Sequence, residues 1–97
     1  MSFNPAGTKW SVAAFDNNGA LSGFHPTPWE FNRQSMNAGA LWVGGYQAIP
    51  GNDSAYNCEI IGAGGSDPAD NFEVYFVSAD RFVATKGGAL YRFGKKI

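Results

Sequence analysis

The chain holds one histidine and one cysteine, and these are the first residues to weigh for chemistry. His25 stands before Pro26 at the end of a β-rich run. General-base work needs a nucleophile or acid placed to share the proton, and no serine or carboxylate has a spacing that nominates one. Cys58 lies in mid-strand between Tyr56 and Ile60 with no basic neighbour in sequence. A reactive thiolate needs electropositive, accessible surroundings, so Cys58 reads as a core thiol. One cysteine excludes an intrachain disulfide, and one imidazole with one thiol is too few ligands for zinc. Gly62-Ala-Gly-Gly-Ser66 has the glycine content of a phosphate loop, but Asp67-Pro68 follows where Lys-Ser/Thr is required. Asp67, Asp70 and Asn71, with Asp53, offer oxygens whose spacing matches no calcium loop and reads as a solvated acidic turn. The expectation is therefore no catalytic residue, no metal and no cofactor.

Large aromatics are the remaining candidates for recognition. Trp and Tyr combine apolar area with a polar edge and are enriched at binding sites. Trp29, Trp42 and Tyr46 are candidates for a sugar-stacking platform, against the plainer reading that a small core needs large side chains. Tyr75 and Arg92 fall on the predicted outward face of the C-terminal hairpins, where an Arg beside an aromatic can anchor a contact.

The elements that position these residues are clearest over Asn71 to Gly94. Three β-rich runs are separated by Ser78-Ala79-Asp80 and Gly87-Gly88, both common hairpin lengths. Closing the two turns pairs Phe76 with Phe82, Val74 with Ala84, Phe82 with Phe93 and Ala84 with Tyr91. Since strand side chains alternate, Phe72, Val74, Phe76, Phe82, Ala84, Tyr91 and Phe93 share one face. Glu73, Tyr75, Arg81, Thr85 and Arg92 take the other.

Upstream, Thr8 to Phe15 alternates, Asp16-Asn-Asn-Gly19 signals a hairpin with a type I′ turn, and Ala20 to His25 is predicted to return antiparallel. The segment 28–37 supports two readings. Thr27 as cap, Pro28, Glu30 and the stop at Gly39 suit a short helix. The alternation of Trp29 and Phe31 with Glu30 and Asn32 favours a strand over Trp29 to Arg33. Leu41 to Val43, a bend or bulge at Gly44-Gly45, Tyr46 to Ile49, a turn at 50–53, a strand over Ala55 to Gly62 and a loop over 62–70 complete the chain. The expected fold is all-β: a small antiparallel barrel or sandwich of seven to eight short strands in one domain spanning 1–97.

Gly7-Thr8-Lys9-Trp10, followed by Asp16 to Gly23 and by Trp29-x-Phe31, resembles the opening strands of lipocalin-like and avidin-like small barrels. That resemblance implies that a glycine and a tryptophan near the start of strand one plug one barrel end. Tyr56-Asn57-Cys58 and Tyr91-Arg92 look like bacterial lysozyme-inhibitor barrels, which implies an inhibitory role.

Composition narrows the partner. Net charge is −1 and the isoelectric point is near 5.6, against the basic face of a nucleic-acid binder. The longest apolar runs reach four residues, far short of the ~20 of a membrane helix. With no signal-like N-terminus, a cytoplasmic location is expected, with neither nucleic acid nor membrane as partner. The sequence thus points to a non-enzymatic binding module, an inhibitor or accessory protein. It would meet a protein partner, or further copies of itself, through loops or an outer sheet face. The alternatives are a carbohydrate-binding module using exposed Trp and Tyr, and a small hydrolase or isomerase using His25.

Overall fold

A computed structural model describes residues 3–62 and 68–97. The strands are β1 (Thr8–Ala14), β2 (Trp29–Phe31), β3 (Ser35–Ala38), β4 (Trp42–Ile49), β5 (Asn52–Gly62), β6 (Asp70–Ser78), β7 (Arg81–Lys86) and β8 (Ala89–Lys96). Each pairs antiparallel with the next, and β8 pairs with β1, so the sheet closes as an eight-stranded barrel. Closure removes both sheet edges. The expected loop over 62–70 falls partly on residues 63–67, outside the described residues.

The two-residue turn at Gly87-Gly88 forms as predicted, with both φ angles positive (61° and 83°) and Lys86 opposite Ala89. Phe76 pairs with Phe82 and Val74 with Ala84, also as predicted. Of the two readings of 28–37 the favoured strand forms, as β2 with β3 after it, and the helix does not, because Trp29 and Phe31 both point into the barrel and a helical turn could not bury both beside Trp10 and Phe82. Four expectations are corrected. Residues 20–25 form no strand. A single bridge, Phe15 to Leu21, precedes an irregular strap that donates from Ser22 N to Ala14 O (2.8 Å) and from His25 N to Val12 O (2.9 Å). The turn before it is not type I′. Asp16 Oδ1 accepts from Asn18 N (2.8 Å) and Ala20 N (2.9 Å), and only glycines have positive φ, so the aspartate side chain does what a positive φ at Asn18 would have done. At Gly44-Gly45, β4 runs on without a break: a Cβ on Gly44 would overlap the backbone of Glu59, so glycine lets β4 and β5 approach.

The fourth correction bears on function. Thr85 pairs with Leu90 but Ala84 pairs with Arg92, leaving Tyr91 as an extra residue on β8. This β-bulge inverts the alternation from Arg92 onward. Phe93 moves outside, opposite Val83 and 6.3 Å from the Phe24 ring. Gly94 comes inside against Phe82, and Arg92 turns inward. The outward row is therefore Tyr75, Val83 and Phe93 rather than Tyr75, Val83 and Arg92.

Eight strands enclose a bore about as wide as the side chains that fill it. Trp10, Phe31, Met36, Phe72, Val74 and Phe82 are fully buried there. Phe82 is central, with ring centroids 5.2–6.3 Å from Trp10, Phe76, Trp29 and Phe31. Cys58 is buried too, and burial pushes its thiol up to about 12.

Candidate binding site at the open barrel end

Strand direction sorts the interior into two ends. At the end where β1 begins, the lead-in folds across the bore. Phe3 lies 4.7 Å from Phe76 and 6.2 Å from Trp10, its N donates to Asp53 O (3.2 Å), and Tyr56 Oη donates to its carbonyl (2.7 Å). The Trp10 indole N–H, fully buried, donates to Thr8 Oγ1 (2.7 Å), which donates to Pro5 O (2.5 Å). Among the described residues no buried side-chain donor is left unpaired there. This end is closed.

At the other end the inward positions besides Trp29 and Trp42 are smaller or polar. Ala14, Ala38 and Ala84 stand at strand positions directed inward, and Gly62 has no side chain. A cavity of about 270 Å³ results, roofed on one side by the strap at Ser22, His25 and Thr27. Its floor is apolar. Trp29 rests on Phe72 and Phe82, and Trp42 lies over Gly62, its ring carbons 3.7–3.8 Å from where a Cβ would stand. Its wall is polar. Tyr91 Oη donates to Asp70 Oδ2, while Lys86 Nζ pairs with Asp70 Oδ1 at 2.5 Å. Burial, followed by that hydrogen bond to a carboxylate, raises the Tyr91 phenol to about 12. The Arg92 guanidinium carbon sits over the Tyr91 ring, 3.9 Å from its centroid, and Nη1 donates to Tyr91 O (3.0 Å).

The candidate residues from sequence separate accordingly. Trp29, Trp42 and Arg92 meet in this cavity. Tyr46 points inward at the closed end, 5.2 Å from Phe31 and 5.5 Å from Tyr56, its hydroxyl donating to Asn32 O at 2.5 Å. Tyr75 is on the outer wall. Asp70 and Tyr91 were legible only as a turn acid and a core ring. The signal that joins them is register: Asp70 stands opposite Ile60, an inward position, and so faces the bore. His25 reaches the cavity rim, where its Nδ1 accepts from Thr27 N (3.1 Å).

A second depression of about 340 Å³ lies on the outer wall, among Gln34, Gln47, Asn57, Glu59 and Asn71. It is larger, but Tyr46 is the one aromatic in its lining, and that ring packs on Phe31 and Tyr56. Among the described residues no three or more His, Cys, Asp or Glu side chains gather as a metal site. A comparison with known proteins finds no family model, no curated protein and no solved structure that matches this chain.

Proposed function

We propose that this barrel is a non-enzymatic binding domain that docks its open end onto a protein partner, in the manner of an inhibitor or accessory protein. One observation carries the reading: the cavity and most of the exposed apolar bulk coincide at one end. Of the eight large hydrophobics left exposed among the described residues, Leu21, Phe24, Leu41, Val43, Ile61 and Leu90 lie on strand ends, turns or strap at the cavity end. Val77 and Ile97 lie at the other. Scattered exposed apolar residues need no explanation, whereas their concentration at the end that holds a concave site favours a contact surface there.

The Trp10 plug supports the lipocalin-like and avidin-like reading of the fold, whose members close one barrel end in this way. The glycan alternative keeps Trp29 and Trp42 but not Tyr46, which is spent on the closed end. The engagement of His25 Nδ1 by Thr27 weighs against a general base.

The test is affinity capture from the native host with three baits: wild type, Phe24→Lys/Leu41→Lys at the rim, and Val77→Lys at the closed end. The reading expects one partner retained by wild type and by Val77→Lys but lost with the rim variant. A partner lost with Val77→Lys and kept by the rim variant would place the interface elsewhere and refute it.

A further inference from the structure

Among the described residues, Arg92 is a cation without an acid. The ion pairs among the described residues are Lys9 with Glu30 (3.4 Å), Arg81 with Asp80 (3.2 Å) and Lys86 with Asp70 (2.5 Å). Among the described residues Asp70 is the one carboxylate lining the cavity, and both its oxygens are engaged, one by Lys86 and one by Tyr91. Summed over the described residues, the cavity with its Lys86 pair carries one uncompensated positive charge, on a guanidinium that spends one donor on a backbone carbonyl.

That guanidinium is also held in place. Its Cζ sits over the Tyr91 ring, Nη1 is tied to Tyr91 O, and Asp70 fixes the Tyr91 hydroxyl. Two contacts hold the guanidinium before any ligand arrives, which lowers the ordering cost of binding. The β-bulge at Tyr91 is the device that turns Arg92 inward, and bulges recur beside functional sites for this purpose. The indoles of Trp29 and Trp42, flat and apolar, line the same cavity.

From this we infer that the open end binds a carboxylate carried on a short flat apolar arm, with Arg92 as the anchor and Trp29 and Trp42 as the floor. The inference rests on the reading of the open end as the recognition site and names the chemistry it takes. A planar fork of donors matches a carboxylate in two parallel hydrogen bonds. The cavity, at about 270 Å³, falls below the ~300–1,000 Å³ of sites for drug-sized ligands. It accommodates one ring with an acidic arm. Two sources supply that group: a free small aromatic acid, or the C-terminal aromatic residue of a partner protein.

Titration of tryptophan fluorescence with phenylacetate, phenylacetamide, and a tripeptide ending in Phe as free acid and as amide tests the inference. Each acid should bind about tenfold or more tightly than its amide, the difference a charge-assisted pair supplies. Arg92→Gln should abolish that difference, with Arg92→Lys intermediate and thermal unfolding unchanged. A tripeptide acid much tighter than phenylacetate identifies a protein terminus as the source. Equal affinities identify a free acid. Acid and amide binding alike, or neither acid binding, overturns the inference. Neither result touches the rim-variant capture, so a partner still lost by Phe24→Lys/Leu41→Lys would leave the docking reading intact with a different ligand class.

Discussion

The two ends of this barrel are built from the same eight strands but solve opposite problems. At the closed end, inward positions carry Trp10, Tyr46, Tyr56 and Phe76, the lead-in adds Phe3, and every hydroxyl and indole there is tied to a backbone or side-chain acceptor. At the open end the corresponding positions carry alanines, a glycine, and a polar row of Asp70, Tyr91 and Arg92. Dense ring packing stabilises because each ring removes a large apolar area from water. A cavity forgoes that gain in exchange for a place where another molecule can supply the missing contacts. Stability should therefore reside at the closed end and centre, and recognition at the other.

The largest test of that division compares two aromatic truncations. Phe82→Ala removes a fully buried ring from the middle of the cluster and should cost about 3–5 kcal/mol in urea denaturation. Trp42→Ala removes a larger but only partly buried side chain at the mouth, and should cost about 1–2 kcal/mol. Equal losses would mean that the mouth is as much a part of the core as the centre, and the comparison would break.

A second pair sharpens it through glycine. A Cβ on Gly94 would overlap the Phe82 ring, whereas one on Gly23, in the strap, meets nothing within 4 Å, and neither glycine has positive φ. Gly94→Ala should cost about 1–3 kcal/mol by overpacking, and Gly23→Ala should stay within about 0.5 kcal/mol. The same result checks the bulge. If Gly94 faced outward, as unbroken alternation would place it, its substitution would be nearly silent.

That bulge marks where the sequence stops being legible. The all-β class, the Gly87-Gly88 turn and the inward faces of Phe72, Val74, Phe76 and Phe82 follow from alternation and turn chemistry alone. Alternation carries a sign through each turn, and one extra residue at Tyr91 reverses it. No local preference of Leu90-Tyr91-Arg92 announces the reversal, because the space that favours it lies across the barrel. The Phe82 ring needs a glycine opposite, and only the shifted register supplies Gly94. Parity sent Arg92 outward, so the cavity was not visible even though Trp29, Trp42 and Arg92 were each singled out. The strap failed for a related reason. Asp16-Asn-Asn-Gly19 is a strong hairpin signal, but the barrel already pairs the first part of β1 with β2 and its later part with β8, leaving Ala20 to His25 only a loose seat beside Val12 and Ala14.

The smallest expected effect is in alkali. Tyr91 at the open end is raised to about 12, by burial first and then by its bond to Asp70, with Arg92 partly opposing. Tyr46 and Tyr56 at the closed end are also raised, each chiefly by burial. A phenol whose folded pKa exceeds its unfolded value near 10 favours the fold fully below pH 10 and loses that contribution as the pH climbs toward 12. Wild-type melting temperature should therefore fall across that interval. Tyr91→Phe should flatten part of the fall and delete the highest phenolate step from the near-ultraviolet titration, while the closed-end tyrosines keep the remainder. Because Asp70 then loses a donor but keeps Lys86, the variant should stay folded at neutral pH, and Arg92 should keep a ring to lie on. An unchanged alkaline profile would mean that the Tyr91–Asp70 bond does not hold the wall of the cavity, and the preorganisation of Arg92 would have to come from its backbone bond alone.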